Sequence, residues 1–292
     1  MRALEGAAGP PDRLAAMVQA KRAARPATLQ ESQAGTRPVR PSLVAALRRA
    51  RQALQAYRQA LEAGGTGTAV PSPGAGLPIV AEVKRRSPSA GDIAPSADAV
   101  SRALAYQRAG AAAVSVLADE AFFGGSPADV AAVARAVAVP VLFKDIVVEP
   151  WQIDLARQVG ASAVLLIVAA LEEDRLRSLL RYARDRGLET VVEVHTQREL
   201  ERAMALDGVS VVGVNNRDLA TFEVDTRTAL RLLPQVPEGI VRLAESGYAA
   251  PDAVAEAWEA GADGVLVGEA LMRSEDPGAF FEGALRAWAR RA

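Results

Sequence analysis

The feature that most constrains the fold is a two-part unit that recurs eight times from residue 78 onward. Each unit is a short apolar run rich in β-branched residues, followed by a polar turn and an amphipathic stretch with helical spacing. The apolar runs lie at 78–84, 112–119, 139–145, 163–169, 189–195, 211–216, 240–246 and 264–269. Runs that are apolar on both faces and alternate with helices are typical of a parallel sheet covered by helices. The pattern therefore predicts an α/β fold, a single (β/α)8 TIM barrel.

The stretches between these runs are rich in Ala, Leu and Arg and predict the barrel helices. They lie at 96–109, 127–138, 150–159, 172–186, 197–206, 226–233, 251–260 and 277–291. Gly110, Gly160, Gly187 and Gly261 each follow such a stretch, where a left-handed cap favours glycine. The alternative is an open doubly wound sheet. No Gly-x-Gly-x-x-Gly follows the first run, which argues against a dinucleotide-binding version of that fold.

Residues 1–77 precede the predicted barrel domain, 78–292, and form a predicted N-terminal helical extension with a linker. One face of a helix collects the apolar positions Leu43, Leu47, Ala50, Leu54, Tyr57 and Leu61. A stretch rich in Gly, Pro, Ser and Thr at 64–76 then ends the helix. The spacing leaves open whether this helix packs on the barrel, packs on a second subunit or covers the barrel mouth as a lid.

Only three of the 34 basic residues are lysines, namely Lys21, Lys84 and Lys144. A lysine ammonium is compact, and it can donate its proton when it is desolvated, whereas a guanidinium stays charged in proteins. We therefore expect the lysines of this arginine-rich chain to perform a task that arginine cannot.

Polar side chains stand where the predicted strands end, and in a barrel those ends meet at one mouth, where active sites lie. The positions are Glu82, Lys84, Lys144, Asp145, Glu193, His195, Asn215, Asn216, Arg217, Glu245 and Ser246. Because side chains alternate along a strand, Glu82 shares a face with Lys84, and Glu193 with His195. The sequence predicts an active site here. The alternative is structural ion pairs, Glu82 with Lys84 or Lys144 with Glu193, although buried pairs add little net stability.

Small residues follow the last two predicted strands, at Ser246-Gly247 and at Gly268-Glu269. In this fold the loops after these strands commonly hold a phosphate, because small residues let backbone N–H groups approach the anion. Glu269 is expected to contribute only its N–H, since its carboxylate must turn away from a phosphate. The alternative is that these glycines only make turns.

The composition excludes several kinds of protein. Without cysteine there is no disulfide or thiolate site, and the single histidine, His195, makes a histidine metal centre nearly impossible. The net charge of −1 gives no general attraction to nucleic acid or to an anionic membrane, and the longest apolar run, 163–171, is far short of a transmembrane span. We expect a cytoplasmic protein. His195 is either an acid–base group or a loop residue that makes hydrogen bonds.

Several segments resemble one family, the indole-3-glycerol phosphate synthases of tryptophan biosynthesis. The strongest match is PIVAEVKRRSPSAGDI at 78–93, and the similarity covers residues 78–290. Further matches are FFGGS (122–126), FKDIVVEPWQI (143–153), VVEVH (191–195), VNNRDLATFEVD (214–225), LAESG (243–247) and VLVGEALM (265–272). The resemblance implies conversion of 1-(2-carboxyphenylamino)-1-deoxyribulose 5-phosphate to indole-3-glycerol phosphate, CO2 and water. It implies a phosphorylated small-molecule substrate and neither cofactor nor metal.

By this resemblance, Lys144 protonates the alkoxide that forms on ring closure, and Lys84 holds the substrate carboxylate. Glu193 is the base of the dehydration, Glu82 orients the lysines and Asn215 positions the substrate hydroxyls. Burial is expected to lower the pKa of Lys144 toward the useful range.

Other substrate contacts are expected at Ser87, Phe123, Arg217 and Glu245. Phosphate contacts are expected at Ser246, Gly247, Gly268 and Glu269.

The sequence departs from the family at three positions. Ile146 stands where the family usually has Phe, which bears on how the anthranilate ring stacks; Ala118 often is Thr, and Arg86 is usually smaller.

Other functions remain open from the residues alone. The first is another phosphate-binding barrel enzyme, such as an Amadori-type isomerase or a Schiff-base aldolase using Lys84 or Lys144. The second is a barrel that has lost catalysis. The third is an N-terminal interaction module with its own partner. Monomer and homodimer are equally compatible with the sequence.

Overall fold

A computed structural model of the chain describes residues 13–24, 40–63, 76–219 and 221–291. Eight parallel strands form a closed barrel in which each strand pairs with its neighbours along the chain, and the last pairs with the first. They are β1 Leu77–Val83, β2 Ala111–Leu117, β3 Val141–Lys144, β4 Ala163–Ile167, β5 Glu189–Val194, β6 Val211–Asn215, β7 Val241–Glu245 and β8 Gly264–Val267. The predicted (β/α)8 barrel is confirmed, and each strand lies within its predicted run to within two residues.

Two helices of the described chain precede β1, and the later ones follow successive strands and surround the barrel. The helices are α1 Arg13–Ala23, α2 Leu43–Glu62, α3 Ala99–Arg108, α4 Glu120–Phe123, α5 Pro127–Ala136, α6 Pro150–Val159, α7 Glu173–Asp185, α8 Gln197–Met204, α9 Arg227–Leu232, α10 Pro251–Glu259, α11 Glu269–Arg273 and α12 Pro277–Ala289. All eight predicted barrel helices are present, with slightly shorter ends. The helices α1, α4 and α11 were not predicted.

The strands form because their residues are β-branched or small and can be buried on both faces. Every residue of β1 and β2 is buried, and the largest fully buried side chains include Trp258, Tyr106 and Phe143. The predicted glycine caps are confirmed as well. Gly160, for example, has φ 91° at the end of α6, a conformation that favours glycine.

The helix α2 closes the barrel at the end opposite the mouth. Leu43, Leu47, Ala50 and Leu54 of the predicted apolar face are buried, and Leu47 packs against Gly264, the first residue of β8. Of the alternatives left open for this helix, the structure favours packing on the barrel. The lid interpretation is wrong for α2.

A carboxylate from the barrel holds the start of α2. Glu189, the first residue of β5, accepts hydrogen bonds from the backbone N–H groups of Leu43 (2.6 Å) and Val44 (3.1 Å) and from the Ser42 hydroxyl. A negative charge at a helix N-terminus satisfies N–H groups that lack intrahelical partners and interacts favourably with the helix dipole.

The predicted linker at 64–76 lies, apart from Gly76, outside the described residues. The division of the chain at residues 77 and 78 stays a prediction. No helix among the described residues combines the length and apolar character needed to cross a membrane.

Replacing Glu189 should weaken the barrel without changing catalysis. We expect Glu189→Ala to lower the free energy of unfolding by about 2 kcal/mol, because a charged acceptor of several hydrogen bonds is lost. The value of kcat should not change, because Glu189 lies at the opposite end of β5 from the mouth. Urea denaturation and steady-state kinetics measure both. Glu238→Ala, at an exposed position before β7, is the control, and an equal loss in both variants would contradict the anchoring role.

Candidate active site

A cavity of about 490 Å³ opens at the carboxyl ends of the strands. Every residue predicted to bind or act on substrate lines this one cavity: Lys144, Lys84, Glu193, Glu82, Asn215, Ser87, Phe123, Arg217, Glu245, Ser246, Gly247, Gly268 and Glu269. The barrel brings them together because each stands at or just after a strand end. Their individual roles stay predictions.

A buried cluster of opposite charges forms the base of the cavity. Lys84 Nζ lies 2.6 Å from Glu82 Oε1, and Lys144 Nζ lies 3.2 Å from Glu193 Oε2 and also contacts the Glu245 carboxylate. The three carboxylates are buried. The ion pairs offered as a structural alternative are therefore both present, and they lie in the wall of the cavity itself.

The carboxylates keep Lys144 charged. Burial alone lowers the pKa of Lys144, but the charges of Glu245, Glu193 and Glu82 outweigh it and raise the pKa above that of an ordinary lysine. The expected lowering of the Lys144 pKa is therefore wrong, because three buried carboxylates face the ammonium. Lys144 is held as a protonated acid.

The two carboxylates that share Lys144 differ in their ionisation. Burial raises the pKa of Glu245, and Lys144 opposes this rise, but burial together with the charges of Glu193 and Glu82 outweighs the effect of Lys144. For Glu193, burial is outweighed by Lys144 and His195, which lower the pKa of this carboxyl well below its usual range. Two carboxyl groups with pKa values pushed apart are a common arrangement where acid and base roles are divided.

His195 follows β5 and lies, partly buried, between two carboxylates. Its Nδ1 lies 3.0 Å from Glu199 Oε2, and its Nε2 lies 3.3 Å from Glu193 Oε1. Burial lowers the pKa of the imidazole, but the hydrogen bonds and charges of Glu193 and Glu199 raise it to about 10. His195 is therefore an imidazolium at neutral pH. Both of its ring nitrogens face protein carboxylates, so the imidazolium has no N–H left for a substrate.

The two neighbouring asparagines at the end of β6 do different things. Asn215 lines the cavity and accepts the Arg217 N–H at 3.0 Å. Asn216 is not among the cavity-lining residues. Its amide donates to the Ser246 carbonyl (3.0 Å) and the Tyr248 hydroxyl (3.1 Å), which connects the end of β6 to the loop after β7.

The loops after β7 and β8 form another part of the cavity wall, next to the charged cluster. Ser246 and Gly247 both have positive φ, 63° and 87°. A Cβ at Gly268 would lie 2.7 Å from Glu82 Oε1, so only glycine leaves room for that carboxylate. The Glu269 carboxylate pairs with Arg273 at 3.0 Å. Arg273 also lines the cavity and was not predicted.

The remaining wall is apolar, and sequence reasoning missed much of it. It includes Leu165 and Ile167 of β4, Leu219 and Phe222 of the loop after β6, Ile146 after β3, and Leu14 and Met17 of α1. The helix α1 escaped prediction because its apolar residues do not form one continuous stripe. The rarity of lysine was the one available signal, since Lys21 of α1 pairs with Asp119 and Asp145 at the mouth.

Arg85 and Arg86, beside Lys84, hold the loop after β1. Arg85 pairs with Asp129 through two hydrogen bonds of 2.7 and 3.0 Å, and Arg86 donates to the backbone carbonyls of Glu120 and Ala121. Neither is among the cavity-lining residues of the described chain.

Across the parts of the chain that the structure describes, no three His, Asp or Glu side chains are arranged so that they could hold a metal ion. The carboxylates of the mouth are instead compensated by ammonium groups and an imidazolium.

Comparisons with known proteins identify the family to which the chain is similar. A family model described as indole-3-glycerol phosphate synthase matches residues 18–283. An indole-3-glycerol phosphate synthase of an Exiguobacterium species is 49% identical over 202 residues, 69% of this chain and 79% of that protein. Its namesake from Exiguobacterium sibiricum is 47% identical over 236 residues, 80% and 86% of the two chains. A solved cube-shaped, highly porous protein cage, designed by fusing symmetric oligomeric domains, is 18% identical with TM-score 0.52 over 74% of each chain, which supports the fold alone.

The ionisation of His195 should appear in the pH dependence of stability. Its folded pKa, about 10, lies above the unfolded value of about 6.5. The contribution of His195 to the free energy of unfolding is therefore complete below about pH 6.5 and is lost as the pH rises toward 10. Relative to His195→Gln, the free energy of unfolding of the unmodified protein should fall by up to about 1.4 kcal/mol per pH unit in that window.

Urea denaturation of both proteins from pH 6 to 9 measures this slope. Glu199→Gln is the matched control, because loss of one of the two carboxylates should reduce the slope. A constant difference between the unmodified protein and His195→Gln would contradict an imidazolium at this position.

Proposed function

Since the chain belongs to the indole-3-glycerol phosphate synthase family, we propose that the mouth of its barrel catalyses the ring closure of 1-(2-carboxyphenylamino)-1-deoxyribulose 5-phosphate. The products are indole-3-glycerol phosphate, CO2 and water, so the enzyme is a decarboxylating lyase of tryptophan biosynthesis. The observation that carries this proposal is one cavity with two ammonium groups, three carboxylates, an amide and an apolar wall. Such a cavity offers charge for the substrate's two anionic ends and an apolar surface for its ring.

The reaction sets a proton balance that the residues must meet. The ring carbon that bears the carboxylate attacks the C2′ carbonyl carbon, and the carbonyl oxygen takes up a proton. Loss of CO2 then restores the aromatic ring. The C2′ hydroxyl next leaves as water with a second proton, while C1′ gives one proton to a base. The site therefore delivers two protons and recovers one in each turnover.

Lys144 is our candidate for the first proton. Its carboxylate neighbours keep it protonated in the free enzyme, so the acid is in place when substrate binds. The developing alkoxide is a stronger base than a lysine amine, so transfer to it remains favourable. A positioned acid of this kind contributes typically ~10²–10⁴-fold to the rate.

Lys84 is placed to hold the substrate carboxylate until CO2 leaves. Glu82 fixes this ammonium at 2.6 Å, which directs it while leaving donors for a ligand, because an ammonium has three. Lys84 is also positioned to supply the proton with which water departs.

Glu193 is our candidate for the base of the dehydration. Lys144 and His195 keep it ionised although it is buried, and Lys144 is the neighbour to which it can return the proton. We assign Asn215 to the substrate hydroxyls, Glu245 and Arg217 to ordering the ligand, and Ser87 and Phe123 to its aromatic end.

The phosphate is assigned to Ser246, Gly247, Gly268 and Glu269, at the end of the cavity where small residues expose the backbone. Arg273, which pairs with the Glu269 carboxylate, also lines this part of the cavity. The turn interpretation of the glycines is compatible with this role, because close packing at Gly268 and a left-handed turn at Gly247 are what bring the backbone to the cavity surface. A cytoplasmic location stays a prediction, and monomer and homodimer stay open.

Turnover itself is the direct test. Purified protein incubated with the carboxyphenylamino substrate should produce indole fluorescence and one CO2 per product. Borohydride added during turnover should not inactivate it, because ring closure needs no covalent imine. Folded protein that gives no indole would contradict the function, and inactivation by borohydride would favour the Schiff-base aldolase.

Lys144→Arg should abolish most turnover although the charge is kept. In the same carboxylate surroundings a guanidinium is a weaker acid than an ammonium, and its planar fork does not replace a compact ammonium between Glu193 and Glu245. It can stabilise the alkoxide by hydrogen bonding but is poorly suited to protonate it. We expect kcat to fall at least ~10²-fold, about 2.7 kcal/mol, with KM within a few-fold. A variant that keeps more than about a tenth of kcat would show that Lys144 acts as a fixed charge, and the acid would then be Lys84.

Ser246→Asp should weaken substrate binding, because a carboxylate in the assigned cradle repels the phosphate. We expect KM to rise at least about tenfold, a change of 1.4 kcal/mol. The same substitution at Ser178, exposed on α7, is the control in steady-state kinetics. An unchanged KM in Ser246→Asp would place the phosphate elsewhere.

A further inference from the structure

Lys21 is the one lysine that the proposed mechanism does not use, yet it lies at the same mouth. Its Nζ bridges two carboxylates, at 2.8 Å from Asp119 Oδ2 and 2.7 Å from Asp145 Oδ1. Both aspartates are buried, and they belong to different loops, after β2 and after β3. Lys21 itself belongs to α1, so one ammonium joins three separate segments of the chain.

Each of the two aspartates also fixes a residue of the cavity wall. Asp119 Oδ1 accepts the N–H groups of Phe122 (2.5 Å) and Phe123 (3.1 Å) at the start of α4, and Phe123 lines the cavity. Asp145 directly follows Lys144, and its Oδ1 accepts the N–H of Ile146 (2.8 Å), another lining residue.

The helix that carries Lys21 supplies two apolar side chains to the same wall. Leu14 and Met17 line the cavity, and Met17 is buried. Arg13 lies over the ring of Phe222, with its guanidinium carbon 4.9 Å from the ring centroid. The ion pairs of Lys21 and this cation–π contact together hold α1 against the mouth.

The charges explain why this position requires a lysine. Burial raises the pKa of Asp145, and Lys21 opposes that rise. Removal of the ammonium would leave two buried carboxylates without their shared cation, which is strongly destabilising. A compact ammonium with three donors can serve two carboxylates from different directions, whereas a planar guanidinium presents its donors in a fixed fork.

We propose that Lys21 is a positioning residue that assembles the apolar half of the substrate site. By joining α1 to the loops after β2 and β3, it sets Leu14, Met17, Phe123 and Ile146 around the carboxyphenyl ring. The inference rests on the proposed function for the identity of that ring. It assigns to Lys21 no contact with substrate.

The test measures how tightly Lys21→Met binds two fragments that represent the two halves of the substrate. This substitution keeps the length of the side chain and removes its charge. Anthranilate probes the apolar half, and inorganic phosphate probes the assigned cradle, which contains none of the residues that Lys21 positions. We expect the Kd of anthranilate to rise at least about tenfold and that of phosphate to stay within about twofold. With the natural substrate, KM should rise by a similar factor, while kcat falls by less, because Lys144, Lys84 and Glu193 are unchanged.

Arg22→Met, at the exposed next position of α1, is the matched control and should leave both dissociation constants unchanged. Lys21→Arg should recover part of the anthranilate affinity, since the charge returns with a less suitable shape. Equal weakening of anthranilate and phosphate would indicate a general loss of structure and overturn the proposal. Equal behaviour of Lys21→Met and Arg22→Met would overturn it as well.

A second variant covers the case in which Lys21→Met does not fold. Met17→Ser keeps all the ion pairs of Lys21 and removes apolar surface from α1, so it should weaken anthranilate binding alone. Unchanged anthranilate affinity in Met17→Ser would mean that α1 does not enclose the ring. These binding measurements need no turnover, so failure of the proposed function, seen as absence of indole product, is distinguished from failure of this inference.

Discussion

The mutual neutralisation of buried charges at one end of an apolar barrel is the condition on which the rest of this structure depends. Glu82, Glu193 and Glu245 are buried among side chains of β-branched strands, and Lys84 and Lys144 compensate them directly. Charges in such a place are tolerated only when they are paired and hydrogen-bonded, and loss of one partner leaves the other uncompensated. The barrel meets that condition because each strand end holds its side chain at a set position. The charged state of every group in the site follows from this arrangement.

The backbone makes room for these charges by omitting side chains at two places. A Cβ at Gly213, inside β6, would lie 2.1 Å from Glu245 Oε1, and one at Gly268 would lie 2.7 Å from Glu82 Oε1. Glycine lowers the stability of a strand interior, since it has no side chain to pack. Here its position is explained by the carboxylates that occupy the vacated space. The glycines of β6 and of the loop after β8 thus belong to the active site as much as the charged residues do.

The sequence predicted the barrel, its eight strands and the residues around the mouth, because strand and helix periodicities are local and strand ends converge in any parallel barrel. It did not predict what depends on three-dimensional distances. The pKa of Lys144 rises because three carboxylates from other strands surround it, and spacing along the chain does not reveal that number. Histidine is a residue type that often serves as an acid or a base near neutral pH. His195, however, lies between Glu193 and Glu199 and stays charged. The helix α1 is short and without a clear apolar stripe, so its place over the mouth depends on contacts with distant loops.

Lysine and arginine form their ion pairs with carboxylates of different exposure. Within the described ranges, every carboxylate paired with a lysine has a side chain at most 6% exposed. In ten ion pairs made by arginine, the carboxylate side chain is at least 20% exposed. An ammonium is small enough to enter a closed cluster and can serve two carboxylates at once, as Lys21 and Lys144 both do. A guanidinium is larger and planar and presents its donors in a fixed fork, so it needs more space around its partners. The three lysines of this chain therefore lie where buried carboxylates need a compensating positive charge, and all three places surround one cavity.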